Sequence, residues 1–381
     1  MKKKTREYQI CTRCVMDTSN PDIVFDRQGH CNHCTDSLNI LSKPPLSLSK
    51  EKKKQELDRL VKKIKEDGKG KSYDCILGVS GGVDSTYTAY LARQLDLNPL
   101  AIHVDNGWNT DIAVHNMETV CKKLGIEMRT IVADWEEFRD LQLSFLKAST
   151  PDSEIPSDHA MQSIMFEMAE KESLKFILAG TNHVTESILP PAWSRGHMDW
   201  EYISAVQQQF GTKELKTFPH MDTKKQDYYR KTLNIKWVHF LDYVDYDKDK
   251  AKKEIAAKLD WKDYGGKHLE STYTKFFQTY ILPTKFGFDK RRMFFSSLIV
   301  AGQMRRQDAL RELEKSPYDK DKIKDEINYV AEKLNLTLDE FNEIMNLPKK
   351  TILDYPHSSS IGQNGKAMRL LSKIKRGLSS G

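Results

Sequence analysis

Apolar positions change rhythm along this chain, and the changes mark its elements. Between residues 73 and 179, short runs of consecutive apolar residues alternate with stretches where they recur every three or four positions. Consecutive runs suit strands buried on both faces, and the longer period suits amphipathic helices. Strands are expected at 75–79, 99–104, 128–133 and 175–179, with helices at 86–95, 112–124, 135–147 and 159–172. Val114, Met117, Cys121 and Leu124 share one face of the second helix. Strand and helix in alternation predict an α/β fold with a doubly wound parallel sheet, whose right-handed crossovers bring the carboxyl ends of all strands to one edge.

On either side the rhythm differs. Leu57, Leu60, Val61 and Ile64 lie on one face of a helix that follows a Ser/Pro-rich linker and is expected to dock the N-terminal segment onto the sheet. Beyond Ile188 the alternation stops. Residues 189–200 read as a loop carrying aromatic and basic groups, suited either to an anionic ligand or to packing. Residues 201–282 read as mainly helical and partly devoted to substrate. The dense Asp/Lys alternation at 246–258 predicts an exposed, ion-paired helix rather than a site. A basic run, 285–292, leads into a helix that is apolar over two turns. Ile323, Ile327, Val330 and Leu334 then share a face, and a Thr337–Glu340 capping box opens a last helix, together a helical appendix. The basic, Ser/Gly-rich end, 370–381, is expected to fray. The domain boundaries are therefore 1–45, 46–72 (linker and docking helix), 73–190, 191–310 and 311–381.

Composition narrows the class. A chain of 381 residues that is 39% hydrophobic can bury a sizeable core. It has no apolar run near the roughly 20 residues that span a bilayer, and its basic start has no apolar segment behind it, so the expected compartment is the cytoplasm. Sixty basic against 54 acidic residues give a net charge of +6, compatible with an anionic substrate but too weak to mark a nucleic-acid binder.

Four of the six cysteines form two Cys-x-x-Cys pairs, Cys11/Cys14 and Cys31/Cys34. Two such knuckles make the tetrahedral Cys₄ site that Zn²⁺ prefers, closed and therefore structural. His30 or His33 replacing one thiolate stays an alternative, as does redox chemistry. Cys75 and Cys121 fall on core positions.

The loop after the first strand reads Ser80-Gly81-Gly82-Val83-Asp84-Ser85. Adjacent glycines let backbone N–H groups wrap an anion at the positive end of the next helix. The loop lacks the Gly-Lys-Ser/Thr ending of a Walker loop and the three spaced glycines of a dinucleotide fingerprint. It resembles the pyrophosphate loop of the ATP pyrophosphatase superfamily, which cleaves ATP to AMP and pyrophosphate while adenylating a carbonyl oxygen. On that likeness Ser80, Asp84 and Ser85 are catalytic candidates and the whole loop a nucleotide site. His103, Asp105 and Asn106 at the second strand's end, with Gly180 and Thr181 at the fourth's, line the same edge. Asp84, ahead of Glu186, is the candidate for positioning Mg²⁺ through water. Lys285, Arg291 and Arg292 are candidates for phosphates or a substrate carboxylate, and Lys285 and Arg291 join the catalytic set.

The Cys₄ knuckle, residues 103–108, Gly180-Thr181-Asn182-His183 and residues 285–306 together resemble the bacterial N-acetyl sugar amidotransferase family over nearly the full chain. That resemblance implies an adenine nucleotide alpha hydrolase-like, pyrophosphate-loop domain with a zinc knuckle before it and a mainly helical region after it. It implies ATP, Mg²⁺ and Zn²⁺, a nucleotide-sugar acceptor whose acetamido group becomes acetamidino, and ammonia from a separate glutaminase. No membrane or nucleic-acid partner is expected. The acceptor resembles a UDP-linked diacetamido uronic acid of O-antigen lipopolysaccharide more than a CMP-linked nonulosonic acid of flagellin. A tRNA thiolation enzyme of the same superfamily is the alternative, and a nucleotide-binding adaptor without turnover is another.

Overall fold

The strands Cys75–Gly78 (β1), Pro99–Asp105 (β2), Met128–Val132 (β3), Phe176–Ala179 (β4) and Lys236–His239 (β5) form one parallel sheet in the order β3-β2-β1-β4-β5. A computed structural model describes residues 6–266 and 269–358, so the expectations for the first five residues and for 370–381 lie outside the described residues. The register pairs Cys75 with Pro99 and Ile76 with Ile177, placing β1 at the centre.

Six helices flank these strands or precede them: Asn32–Leu41 (α1), Lys50–Gly68 (α2), Val83–Gln94 (α3), Asp111–Leu124 (α4), Trp135–Ala148 (α5) and Ile155–Lys171 (α6). The strand pleat decides which face each covers. Cys75, Leu77, Ala101 and Leu178 point to a face covered by α2, α3 and α4, through Leu57, Val61, Ile64, Ala89, Ala92, Met117 and Cys121. Ile76, Leu100, Ile102 and Ile177 point to the other, covered by Ile164, Met165, Phe166 and Ala169 of α6. The strand order reverses between β1 and β4, where helices also change face, and at such a switch point loops diverge and leave a crevice.

Four elements depart from the expectations. The strand β5 has an exposed Lys236 and a half-buried Trp237 on the outer edge of the sheet, so it lacks the apolar run that betrayed the others. On α4 the buried stripe is Ala113, Asn116, Met117, Val120 and Cys121; Val114 turns outward because the face is one position off the expected row. The knuckle is held not by α2, which lies on the sheet, but by the helix Arg291–Val300 and the residues after it. There the Val15 N–H donates to Ser296 Oγ at 3.1 Å, Arg292 pairs with Asp17 at 2.9 Å, and Arg306 donates to the carbonyls of Cys11 and Cys14. Finally, the C-terminal helices are not an appendix. Val330, Leu334, Phe341 and Ile344 share a core with Trp108, Phe138 and the knuckle, because their apolar stripes need cover. The Thr337–Glu340 capping box forms as expected.

Candidate active site and metal centre

The strand β1 ends at the switch point, and the chain must turn sharply into α3. Gly81 takes a φ of +77°, and a Cβ there would lie 2.5 Å from the Ala113 carbonyl, so only glycine fits. Gly82 caps α3 without a side-chain hydrogen bond, leaving the helix's first amides to the loop. Ser80 and Ser85 brace it: their hydroxyls are 3.2 Å apart, Ser85 Oγ accepts from the Ser80 amide, and Ser80 Oγ accepts from the Gly82 amide. Gly180, after β4, completes the close packing. A Cβ there would sit 2.6 Å from the Ser85 nitrogen, so both loops approach backbone to backbone.

Asp84 leaves the first turn of α3, and its carboxylate accepts a hydrogen bond from the Tyr246 hydroxyl. Burial first, then the Asp84 charge, push the Tyr246 phenol pKa up, and Glu186 acts in the same direction. Asp84 and Glu186 thus face one phenol, an arrangement that can hold Mg²⁺ beside phosphates. The Asp/Lys-rich stretch does form an ion-paired helix, Lys248–Leu259, but Tyr246, two residues before it, belongs to the site.

At the end of β2, His103 is buried, which lowers its pKa, with Nδ1 3.3 Å from the Val79 carbonyl and Nε2 3.1 Å from Asn109 Nδ2. Asp105 accepts from the Gly107 amide and from Asn109, fixing the turn. Asn106 donates to Ser157 Oγ at 3.1 Å, tying this turn to the start of α6. Lys333, on the helix Ile323–Lys333, donates to the Gly107 carbonyl and lies 4.9 Å from the Trp108 ring centroid. Thr181 bonds His239 at 3.1 Å, and Asn182 caps the short turn that carries His183 and Glu186.

The structure therefore brings Ser80 to Ser85, His103, Asp105, Asn106, Gly180 and Thr181 to one sheet edge. Lys285 and Arg291 take their contacts elsewhere. Lys285 is buried, donates to the Ile344 carbonyl, and has its pKa pushed down to about 8 by burial and by Lys349. Arg291 forks onto Asp289 and reaches the carbonyls of Glu312 and Lys315. Both stitch the C-terminal helices together, and Arg292 holds the knuckle. The residue of this basic run that turns toward the sheet edge is Lys290, 3.0 Å from Glu154.

Lys290 belongs to a cluster that residue spacing did not reveal. Glu154 also accepts from Gln278, Asp152 accepts from Ser194 at 2.5 Å, and Asp158 stands beside them. Burial opposes the Lys290 charge, but Glu154 and Asp152 hold its pKa above the usual value. Asp152 is pushed up to about 6 by burial. Asp158 is pushed up to about 8, by burial first and then by Asp152, Glu154 and Glu186, with Lys290 opposing. Glu186 thus acts on both Asp158 and Tyr246, linking this cluster to the phosphate loop.

A carboxylate raised in the fold binds its proton more tightly there than in the unfolded chain. Its contribution to stability is full below the unfolded pKa and is lost as pH rises through about 8. Asp158→Asn should therefore raise the melting midpoint over wild type, by little at about pH 5 and by more at about pH 9. A thermal-melt series across that range checks it; an equal effect at all pH values would contradict the placement.

The four knuckle thiols are fully buried, and their sulfurs all lie within 4.8 Å of one another. The Cys14 and Cys31 amides donate to Cys11 Sγ, and the Cys34 amide to Cys31 Sγ, the support that thiolates need. His33 instead contacts Asn20, and His30 contacts Arg13 and Asp26, so the cluster is four sulfurs. This donor set fits a metal with no open coordination position.

Two family models match the chain. Residues 54–191 match NAD synthase, and residues 270–371 match the C-terminal domain of the LPS biosynthesis protein WbpG-like family. The chain thus joins an NAD synthase-like domain to a WbpG-like C-terminal domain. Its sequence is also 33% identical over 128 residues to an uncharacterized protein of Methanocaldococcus jannaschii, covering 33% of this chain and 44% of that protein. It is 32% identical over 123 residues to the tRNA-specific 2-thiouridylase of Serratia proteamaculans, covering 28% and 33%. The matched stretches thus span less than half of these relatives' own lengths. Among solved structures, NMN synthetase from Francisella tularensis aligns over 60% of this chain and 93% of its own at 17% identity and a TM-score of 0.27. The tRNA thiolase NcsA from Methanococcus maripaludis, with its [4Fe-4S] cluster, aligns over 80% and 87% at 16% and 0.31. The two family matches cover separate parts of the chain, the first most of the sheet and the second the C-terminal helices. Among the described residues, no helix is long and apolar enough to cross a membrane.

Proposed function

We propose that this WbpG-like chain is an ATP-dependent, AMP-forming amidotransferase of the cytoplasm. It adenylates the acetamido oxygen of a nucleotide-linked N-acetyl sugar, and ammonia then displaces AMP to leave an acetamidino sugar for a bacterial surface polysaccharide. The observation that carries this reading is the WbpG-like match, residues 270–371, which includes Lys290, half-buried and 3.0 Å from Glu154 at the cap of α6.

An amide carbon is a poor electrophile, so its oxygen must first become a leaving group. The amides from Gly82 to Ser85 and the hydroxyls of Ser80 and Ser85 would hold the departing pyrophosphate, with Mg²⁺ on Asp84 and Glu186 supplying the remaining charge neutralisation. Lys290 is suited to the acceptor side, where charge develops on the acetamido oxygen. No protein nucleophile is needed, so catalysis is positioning and electrostatic stabilisation. Zn²⁺ suits the knuckle, and a glutaminase partner would supply ammonia.

The second reading, tRNA thiolation, is favoured by the 2-thiouridylase relative. Against it stand Cys75 and Cys121, which burial keeps as thiols, Cys121 at about 11, and the closed sulfur cluster of the knuckle. The test is incubation with ATP, Mg²⁺, ammonium and candidate nucleotide sugars, read by mass spectrometry. Replacement of one oxygen by NH, with AMP and pyrophosphate, is expected. Sulfur incorporation into tRNA, or no product with any UDP- or CMP-linked acetamido sugar, would overturn it.

A further inference from the structure

Residues 261–264, after the helix Lys248–Leu259, lie against the mouth of the phosphate loop. Trp261 Nε1 donates to the Gly81 carbonyl at 2.8 Å. Asn116 of α4 locks the next residue in place, accepting from the Lys262 amide at 2.8 Å and donating to the Lys262 carbonyl at 2.8 Å. Beyond Glu270 the segment is tied down again, where the Thr110 amide donates to the Glu270 carbonyl at 3.0 Å and the Thr272 amide to the Trp108 carbonyl at 2.8 Å.

Between these anchors the Tyr264 hydroxyl hangs over the glycines. It lies 3.1 Å from where a Cβ on Gly82 would be, and the backbone amide of Val83 interacts with its oxygen. Gly82 caps α3 and Val83 opens it, and the Val83 N–H is among those an anion at this helix start would take. The phenol therefore stands where a phosphate oxygen would be bound. It is not the contact of an untethered loop, because the Trp261 ring packs on Tyr264 edge to face at 5.6 Å.

A tyrosine hydroxyl both accepts and donates. Burial first, then Glu270 and Asp84, push its pKa up, so at neutral pH it keeps its proton. A neutral phenol does not repel phosphate, and when a phosphate oxygen takes the Val83 amide the hydroxyl can turn and donate to the same anion. Glu270 and Asp84, both close to Tyr264, put negative charge beside it, which suits a nucleotide that arrives with Mg²⁺.

We propose that Tyr264 is a pyrophosphate-binding residue of this enzyme: its hydroxyl sits over Gly82 and takes the Val83 amide until ATP arrives, and then donates to the β- or γ-phosphate. The inference rests on the reading that the loop takes the pyrophosphate end of ATP, and it adds a ligand from a segment far outside the loop.

The test compares the full chain with Tyr264→Phe and Trp261→Phe, using ATP and inorganic pyrophosphate as titrants and pyrophosphate release as the readout. Wild-type turnover comes first, since a wild type that neither binds ATP nor releases pyrophosphate would sink the ATP reading itself. Given an active wild type, Tyr264→Phe should raise the Kd for ATP and for pyrophosphate about 5- to 20-fold, the loss of one hydrogen bond to a charged group. AMP binding should stay unchanged, because AMP lacks those phosphates, whereas general damage to the loop would weaken all three. Trp261→Phe, which loosens the tether but keeps the hydroxyl, should show a smaller shift in the same direction. Unchanged or tighter ATP binding in Tyr264→Phe would overturn the inference, the tighter case marking the phenol as a competitor only. Loss of AMP binding in parallel would overturn it too.

Discussion

Replacing Asp84 with asparagine should abolish most ATP-dependent pyrophosphate release, about a 10²–10³-fold loss in kcat, comparable to removing one group that stabilises transition-state charge. Asparagine keeps an oxygen to accept from Tyr246, so the fold should melt as wild type does. Alanine in its place removes that acceptor as well, leaving a largely buried hydroxyl unpaired at about 1–3 kcal/mol. The two variants separate chemistry from stability: equal loss of turnover with unequal melting is expected. Pyrophosphate release by Asp84→Asn within a few-fold of wild type would remove Asp84 from the catalytic set and with it the site's principal Mg²⁺ candidate.

Stripping the metal from the knuckle should have a larger effect, on stability. Structural Zn²⁺ contributes about 10–16 kcal/mol in isolated zinc-finger peptides. The loss would not stay local. Arg306 donates to carbonyls of Cys11 and Cys14, Arg292 pairs with Asp17, and Ser296 accepts from Val15. Chelation or Cys14→Ser should therefore deprotect amides in residues 6–41 and, with them, in 291–306, while the five-stranded sheet keeps its protection. Hydrogen exchange read by mass spectrometry resolves these regions. A chelated protein with unchanged melting, and a native one containing neither zinc nor iron by elemental analysis, would contradict the metal centre.

How far the fold was legible follows from burial. Strands β1, β2 and β4 lie inside the sheet and read as apolar runs, and β3, on the other edge with no fully buried residue, still carries Met128, Ile131 and Val132, so alternation found all four within a residue or two. The outer strand β5, Lys-Trp-Val-His, has one buried residue in four and no run to read. The phosphate loop was legible because its constraint is local: the turn needs Gly81, and Ser80 and Ser85 brace it from five residues apart. Tyr246, Tyr264 and Lys290 were not, since they reach their partners across 162, 182 and 136 residues of chain, and a lone tyrosine or lysine carries no periodicity. The basic run shows this most sharply. Lys290 sits at the cap of a helix that starts at Arg291, and its direction depends on that start. Lys285 and Arg291, equally basic, point into the C-terminal helices instead.

The clasp between the knuckle and the helix Arg291–Val300 also sets an order of events during synthesis. Val15 and Ser296 are 281 residues apart. At about 5–20 residues per second, roughly 15–60 s separate the emergence of the cysteines from that of the helix that receives them. The four thiols can take up metal throughout that interval, so a nascent chain would carry a loaded, undocked knuckle while its sheet is still being made.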